Sequence, residues 1–197
     1  MAFVLASTSP IRLQLLRSAG LTVEAVAPHV DEEMARGSLL AEGARPQDVA
    51  DTLAELKARK VADRRPVDLV LGCDQVLELN GEVISKPESM DEARDHLYRL
   101  RGKSHHLLSA IVAYENAEPV WRHVAEARLT MHQISDSYLE DYLSRNWKSI
   151  RHSVGGYKIE EEGIRLFSAI SGDHFTILGL PLLPLLAWLR TRGMIAR

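Results

Sequence analysis

Ser7-Thr8-Ser9-Pro10-Ile11-Arg12 follows a short apolar run and gathers two serine hydroxyls, a threonine and a guanidinium. A strand that ends at small hydroxyl residues and enters a helix presents unpaired backbone N–H groups and the positive helix end, which suits a phosphate. An N-cap that only starts a helix uses the same residue types. Gly72-Cys73-Asp74-Gln75 carries the second candidate. A carboxylate at the carboxyl end of a central strand stands where open α/β sheets place their sites. There Asp74 could hold a divalent cation, take a proton from water, or simply cap a turn. The Gln75 amide could read a base edge or close the loop. Asp31-Glu32-Glu33 offers further oxygen ligands for Mg²⁺, which favours carboxylates, waters and substrate phosphates, or forms a solvated acidic turn. Lys57 lies among Leu and Ala on a helical pattern, and Lys86 precedes Pro87 after a turn; alone, each is an ordinary lysine.

Other chemistries lack their residues. His105 and His106 are adjacent, so on a strand they face opposite ways. No His-Glu-x-x-His, Gly-x-x-x-x-Gly-Lys or Gly-x-Ser-x-Gly occurs. Cys73 is the single cysteine, which excludes an intrachain disulfide framework or a multi-cysteine zinc site. Beside Asp74 it is disfavoured as a thiolate and reads as a buried small hydrophobe.

The elements that must position these residues alternate between strand and helix patterns, which predicts an α/β fold. Phe3–Ala6 reads as a buried strand, followed by a helix with Ser9 as N-cap and Pro10 as its first residue. Thr22–Ala27 reads as a second strand, and Pro46 opens a long helix ending near Arg64. Asp68–Cys73, apolar without alternation, reads as the central strand, with Asp74 just past its end. Asn80-Gly81 predicts a type I′ hairpin between Val76–Leu79 and Glu82–Ile84. Ser89 and Glu92 predict a capping box, Ala125–Met131 a half-exposed strand and Asp136–Arg145 a helix. Ile164–Leu178 reads as a hairpin around Gly172, and Pro181–Arg192 as a closing helix. Hairpins interrupt the βα alternation, so the sheet should be mixed.

With 24 Lys and Arg against 27 Asp and Glu in 197 residues, the net charge of −3 carries no cationic excess for nucleic acid or anionic membrane. A hydrophobic share of 46% is too high for a disordered chain, and the length is expected to make one domain, 1–197. The N-terminal run lacks a basic region, and Ile177–Leu189 is broken by two prolines, so neither a signal peptide nor a membrane span is expected. A cytoplasmic protein is the expectation.

Together, Leu5–Pro10, Gly72–Gln75 and Asn80–Pro87 resemble the Maf family of nucleoside triphosphate pyrophosphatases. Arg101–His105, Gly155-Gly156-Tyr157 and Gly179–Leu182 continue the resemblance in order along nearly the whole chain. These proteins were first linked to septum formation and are structurally related to inosine triphosphate pyrophosphatases. The resemblance implies a mixed twisted sheet with flanking helices, two lobes around a cleft, and often a homodimer. It implies cleavage of a nucleoside triphosphate to the monophosphate and pyrophosphate with a divalent cation, Mg²⁺, Mn²⁺ or Co²⁺. Asp74 matches the catalytic proton acceptor, and Ser7, Ser9 and Arg12 the phosphate loop. Glu32, Lys57 and Lys86 match further cleft positions, with Glu32 and Asp74 as metal ligands.

The family divides between dTTP/UTP and 7-methylguanosine triphosphate. Asp74-Gln75 follows the second group, and Glu160 stands where the first usually has Gln. A carboxylate suits the N1–H and 2-amino donors of guanine. Ile11 departs from both groups, which usually place Arg or often Trp there. The alternatives are a dTTP/UTP pyrophosphatase, or a non-catalytic nucleotide-sensing regulator of cell division that would tolerate loss of Asp74.

Overall fold

The computed structural model describes residues 3–196. The Met1-Ala2 start of the predicted non-signal segment and Arg197 lie outside them. Strand β1 (Phe3–Ala6) leads into helix α1 (Pro10–Ser18), β2 (Val23–Ala25), α2 (Glu32–Ala41) and α3 (Pro46–Ala62). Then come β3 (Leu69–Leu79), β4 (Glu82–Ile84), α4 (Met90–Leu100), β5 (Ser104–Glu115) and β6 (Glu118–Met131). Helix α5 (Asp136–Ile150), two 3₁₀ turns, β7 (Phe167–Ser171), α6 (His174–Ile177) and α7 (Leu182–Thr191) complete the chain. Seven strands form one mixed sheet in the order β2-β1-β3-β5-β6-β7, with β4 paired to β3. Among the described residues no helix is long and apolar enough to cross a membrane.

β3 organises the molecule. Its first half pairs parallel with β1, and its last residues pair antiparallel with β4 on the same side. β1 ends with Ala6 opposite Gly72, and β4 begins pairing with Ile84 opposite Leu77. Cys73–Val76 therefore have β5 on one side and no strand on the other. The period-two alternation of a strand sends Val70, Gly72, Asp74 and Val76 to the face covered by α3. Leu71, Cys73, Gln75 and Leu77 point to the opposite face, where Leu71 and Cys73 pack with residues of α1 and α7 and Leu77 with residues of α4 and α5. Gly72 lets α3 lie directly on β3: an added Cβ would stand 2.1 Å from the Ala54 carbonyl oxygen.

Several expectations are corrected. Asp74 is not past the end of a strand but is the sixth of eleven residues in β3, because Val76–Leu79 continue the same strand instead of starting a new one. The apolar run alone could not show that only β1 ends there, not β3. Asp31-Glu32-Glu33 is no loop: Asp31 caps α2 by accepting the Met34 N–H (3.0 Å), and the two glutamates open that helix, where its dipole favours them. Ile164–Leu178 is not a hairpin but a 3₁₀ turn, β7 and the short α6, with Asp173 capping at Thr176. Ser9 occupies the N-cap without a side-chain cap, and its backbone N–H donates to Ser7 Oγ (3.1 Å). The predicted I′ hairpin is present, with Asn80 and Gly81 both at positive φ. Ser89 caps α4 through the Glu92 N–H, but the Glu92 carboxylate receives Glu88 N–H, which leaves the predicted box half formed.

Candidate active site

A cleft of about 1090 Å³ opens at the bare edge of β3. The loops after β1, β2 and β4 flank it, and α1, α2, α3, α5, the Val154–Glu161 segment, Leu107 of β5 and the end of α6 add to its wall. The site residues expected from the resemblance all line this one cleft, Ser7, Ser9, Ile11, Arg12, Glu32, Lys57, Asp74, Gln75, Lys86 and Glu160, whereas Asp31 and Glu33 do not.

At its centre is a buried charge cluster. Lys57 stands in the inward stripe of α3 where Val49, Leu53 and Val61 fill the other positions. Its Nζ donates to Asp74 Oδ1 at 2.6 Å and lies 2.8 Å from Glu32 Oε2. Lys57 and Asp74 are only 5% and 4% exposed, so each charge depends on its partner rather than on water. Burial raises the Glu32 carboxyl, but the charge and hydrogen bond of Lys57, with Lys86 and Arg36 beyond, outweigh it and leave Glu32 below the usual range. Lys86 is pulled down, first by desolvation and then by Lys57 and Arg12, with Glu32 and Asp74 opposing.

Arg12 is fixed by backbone, donating from Nε to the Gly179 carbonyl (2.7 Å) and from Nη1 to that of Cys73 (2.9 Å). Three guanidinium N–H groups remain for a ligand. The first turn of α1 adds its unpaired N–H groups beside the Ser7 hydroxyl. The thiol of Cys73 points away from this chemistry: fully buried, it is pushed up to about 11, mainly by desolvation.

Asp74 Oδ2 is buried and accepts no hydrogen bond from any described residue. An orphaned carboxylate oxygen of this kind calls for a missing donor or ion. Lys57 engages one oxygen of Asp74 and one of Glu32, which leaves the second oxygen of each for a hard cation. Mg²⁺ and its relatives accept such a donor set when phosphates and water complete it. Among the described residues no cluster of three or more His, Cys, Asp or Glu could hold a metal by itself. The pair thus fits a cation that arrives with a polyphosphate.

The far wall was not legible from the sequence. Arg36, Lys148, His152 and Lys158 all line the cleft. Lys158 follows the Gly155-Gly156-Tyr157 segment and donates to Ser149 Oγ at 2.8 Å. The apolar part of the wall comprises Leu107, Val154, Tyr157, Ile159, Ile177 and Leu178. Beneath it, His105 Nε2 lies 2.7 Å from Tyr157 Oη, and burial lowers the imidazole to about 4, so it stays neutral.

A model described as Maf-like protein matches residues 2–192. A nucleoside triphosphate pyrophosphatase of Ruegeria pomeroyi is 57% identical over 192 residues, covering 98% of this chain and 96% of that protein. A 7-methyl-GTP pyrophosphatase of Mesorhizobium japonicum is 50% identical with the same coverage. A solved HAM1 protein from Coxiella burnetii is similar at 16% identity and a TM-score of 0.47, covering 68% of this chain and 74% of that one. A family match that spans almost every residue, over a cleft lined by residues of the Ser7–Pro10, Asp74-Gln75, Lys86 and Tyr157 segments, means that the chain belongs to the Maf-like protein family.

Proposed function

We propose that this protein hydrolyses a nucleoside triphosphate to the monophosphate and pyrophosphate. The observation that carries the reading is Asp74: a buried carboxylate anchored by Lys57 through one oxygen, its other oxygen unpartnered, at the open edge of the sheet. Names borne by relatives at 50–57% identity support the same activity.

The sheet edge divides the substrate. Phosphates belong toward the α3 side, against Ser7, Ser9, Lys57 and Lys86, with Arg12 reaching the edge from α1 on the other face. The base belongs on the opposite side, against Gln75 and the apolar wall. Asp74 orients a water and takes its proton as the water oxygen bonds to the α-phosphorus. The bond from that phosphorus to the bridging oxygen breaks, and pyrophosphate leaves with the electron pair. Arg12 and Lys86 stabilise the charge that develops on it. Glu32 and Asp74 would hold the divalent cation (Mg²⁺, Mn²⁺ or Co²⁺), which supplies charge neutralisation and a more acidic water. For the base, the Glu160 carboxylate favours guanine over a pyrimidine, Asp74-Gln75 follows the 7-methylguanosine group of the family, and 7-methylguanosine triphosphate is the substrate we assign. The Mesorhizobium relative's name is in keeping with that choice. Ile11, at the mouth, offers the base an apolar contact.

The test is pyrophosphate release from 7-methyl-GTP, GTP, dTTP, UTP and ITP, with metal or with EDTA. Asp74→Asn keeps the shape and the contact with Lys57 and should lose about 10²–10⁴-fold in turnover while still binding nucleotide. Fastest turnover on dTTP or UTP would overturn the base assignment alone. Binding without release from any nucleotide would replace hydrolysis with nucleotide sensing.

A further inference from the structure

We propose that Ser109, together with the carbonyls of α6, positions Gln75 for base selection: they hold its amide N–H groups so that its oxygen meets the cleft, which selects keto bases over amino bases. The proposal rests on the nucleotide reading of the cleft above.

Gln75 and Ser109 are paired across β3 and β5 and point to the same face, away from α3. Ser109 is fully buried. Its Oγ donates to the Thr176 carbonyl at 2.7 Å, so the same oxygen is free to accept from Gln75 Nε2 at 3.0 Å. Nε2 also lies 3.1 Å from the Thr176 carbonyl oxygen and 3.0 Å from that of Ile177. Carbonyl oxygens only accept, so the amide has one satisfied orientation. Turning it over would place Oε1 against two carbonyl oxygens and give up all three contacts of Nε2. The carbonyls are themselves held: Asp173 ties down the start of α6 through Thr176 N (2.9 Å) and Thr176 Oγ1 (3.0 Å). The Gly179 N–H adds a further bond to the Thr176 oxygen at 3.0 Å.

Gln75 Oε1 receives no hydrogen bond from a described residue, and Gln75 lines the cleft beside Leu107 and Ile177. What Gln75 shows a base is therefore an acceptor. Guanine and hypoxanthine carry a donor at N1, and uracil and thymine carry one at N3. Adenine and cytosine have an acceptor at the matching ring nitrogen, and would set lone pair against lone pair. The amide loses its usual ambivalence to the carbonyls of Thr176 and Ile177, and Ser109, whose Oγ bonds both Gln75 Nε2 and the Thr176 carbonyl, braces that arrangement.

The experiment compares kcat/KM for GTP, ATP and 1-methyl-GTP, in which methylation removes the N1 donor, using the full chain with divalent metal. The wild type is expected to favour GTP over each by about tenfold or more, the loss of one hydrogen bond to a site built to make it. Ser109→Ala removes the brace on Nε2 and on the Thr176 carbonyl, loosens the amide and should cut the GTP-to-ATP ratio severalfold, whereas Ser109→Thr, which keeps the hydroxyl, should preserve it. Unfolding midpoints identify any variant that fails to fold; the 1-methyl-GTP comparison then decides on the wild type alone. Equal use of GTP and 1-methyl-GTP, or an unchanged ratio in folded Ser109→Ala, overturns the proposal. If the wild type releases no pyrophosphate at all, hydrolysis fails separately, and calorimetric binding of the same three nucleotides still tests the base selection.

Discussion

Lys57→Met removes the ammonium from the centre of the cleft and keeps an unbranched side chain of similar length in the inward stripe of α3. In the native site Nζ sits 2.6 Å from Asp74 Oδ1 and 2.8 Å from Glu32 Oε2. Without it, neither oxygen of Asp74 receives a hydrogen bond from a described residue. Stripping one partner from a buried ion pair costs roughly 3–5 kcal/mol. The Glu32 side chain keeps 32% exposure, so water solvates that half of the cluster and the lower end, about 3 kcal/mol, applies. In a chain of this size each kcal/mol moves the thermal midpoint by roughly 2–4 °C, which predicts a fall of roughly 6–12 °C. Adding Asp74→Asn removes the stranded charge, so the double variant should recover part of the loss, a coupling that a thermodynamic cycle reads directly. The acid side gives a second signature. Glu32 has a lowered pKa in the folded state, so its contribution is complete above the unfolded value of 4.5 and disappears as pH falls through the folded one. Much of that lowering comes from Lys57, so the gap between wild type and variant should narrow as the pH drops below 4.5. A Lys57→Met midpoint indistinguishable from wild type at neutral pH, or a double variant less stable than the single one, would refute the claim that this lysine neutralises the pair.

Two further outcomes test how the site is held. Gly72→Ala places a Cβ 2.1 Å from the Ala54 carbonyl oxygen and 2.6 Å from the Ala58 amide nitrogen, both backbone, so α3 must back away from β3. The expected result is about 1–3 kcal/mol of destabilisation with a parallel fall in turnover, because Lys57 moves with α3; unchanged values in both assays would show that this contact does not set the site. Glu162 is lowered to about 2, chiefly by its hydrogen bond from Arg145 and then by Asn146. Its folded pKa lies below the unfolded one, so Glu162→Gln should be less stable than wild type in urea at neutral pH, with the difference vanishing as pH falls toward 2, and an equal difference at both pH values would contradict the assignment.

Much of the site was legible because its residues sit beside strong local signals. Ser7–Arg12 joins a buried strand to a proline-opened helix, and Lys86 follows an Asn-Gly turn; both signals are read within a few residues. The sheet was harder. Ser104–Glu115, a largely buried strand, contains two histidines and two serines, and no alternation marks it as a partner of the central strand. Asp74 looked like a strand terminus because the Gly72-Cys73-Asp74-Gln75 segment interrupts the apolar run, whereas the polarity reflects an edge that β1 leaves bare. The side chains of Lys148, His152 and Lys158 could not be found, since such surface residues carry no pattern until α5 and the Gly155-Gly156 turns fold them over the cleft. Ser109 gave no signal either: its role depends on the carbonyls of α6, more than sixty residues later, and backbone carbonyls leave no trace in a sequence.

The bare edge of β3 also explains how two neighbouring residues can serve one substrate. In a fully paired sheet, alternation would send Asp74 and Gln75 into separate compartments, sealed from each other by the flanking strand. Here β1 stops at Gly72 and β4 resumes at Leu77, so a ligand can lie across the edge and touch both faces at once. The group proposed for proton transfer and the group proposed to read the base are then joined by a single peptide unit, their Cα atoms about 3.8 Å apart. No hinge or loop separates them, and β5 holds both in register through Ala110 and Ser109. A base that sits wrongly against Gln75 consequently displaces the α-phosphorus relative to Asp74. Discrimination between bases should for that reason enter through the rate of the chemical step as well as through binding, because misplacement by about an ångström is enough to cost two orders of magnitude.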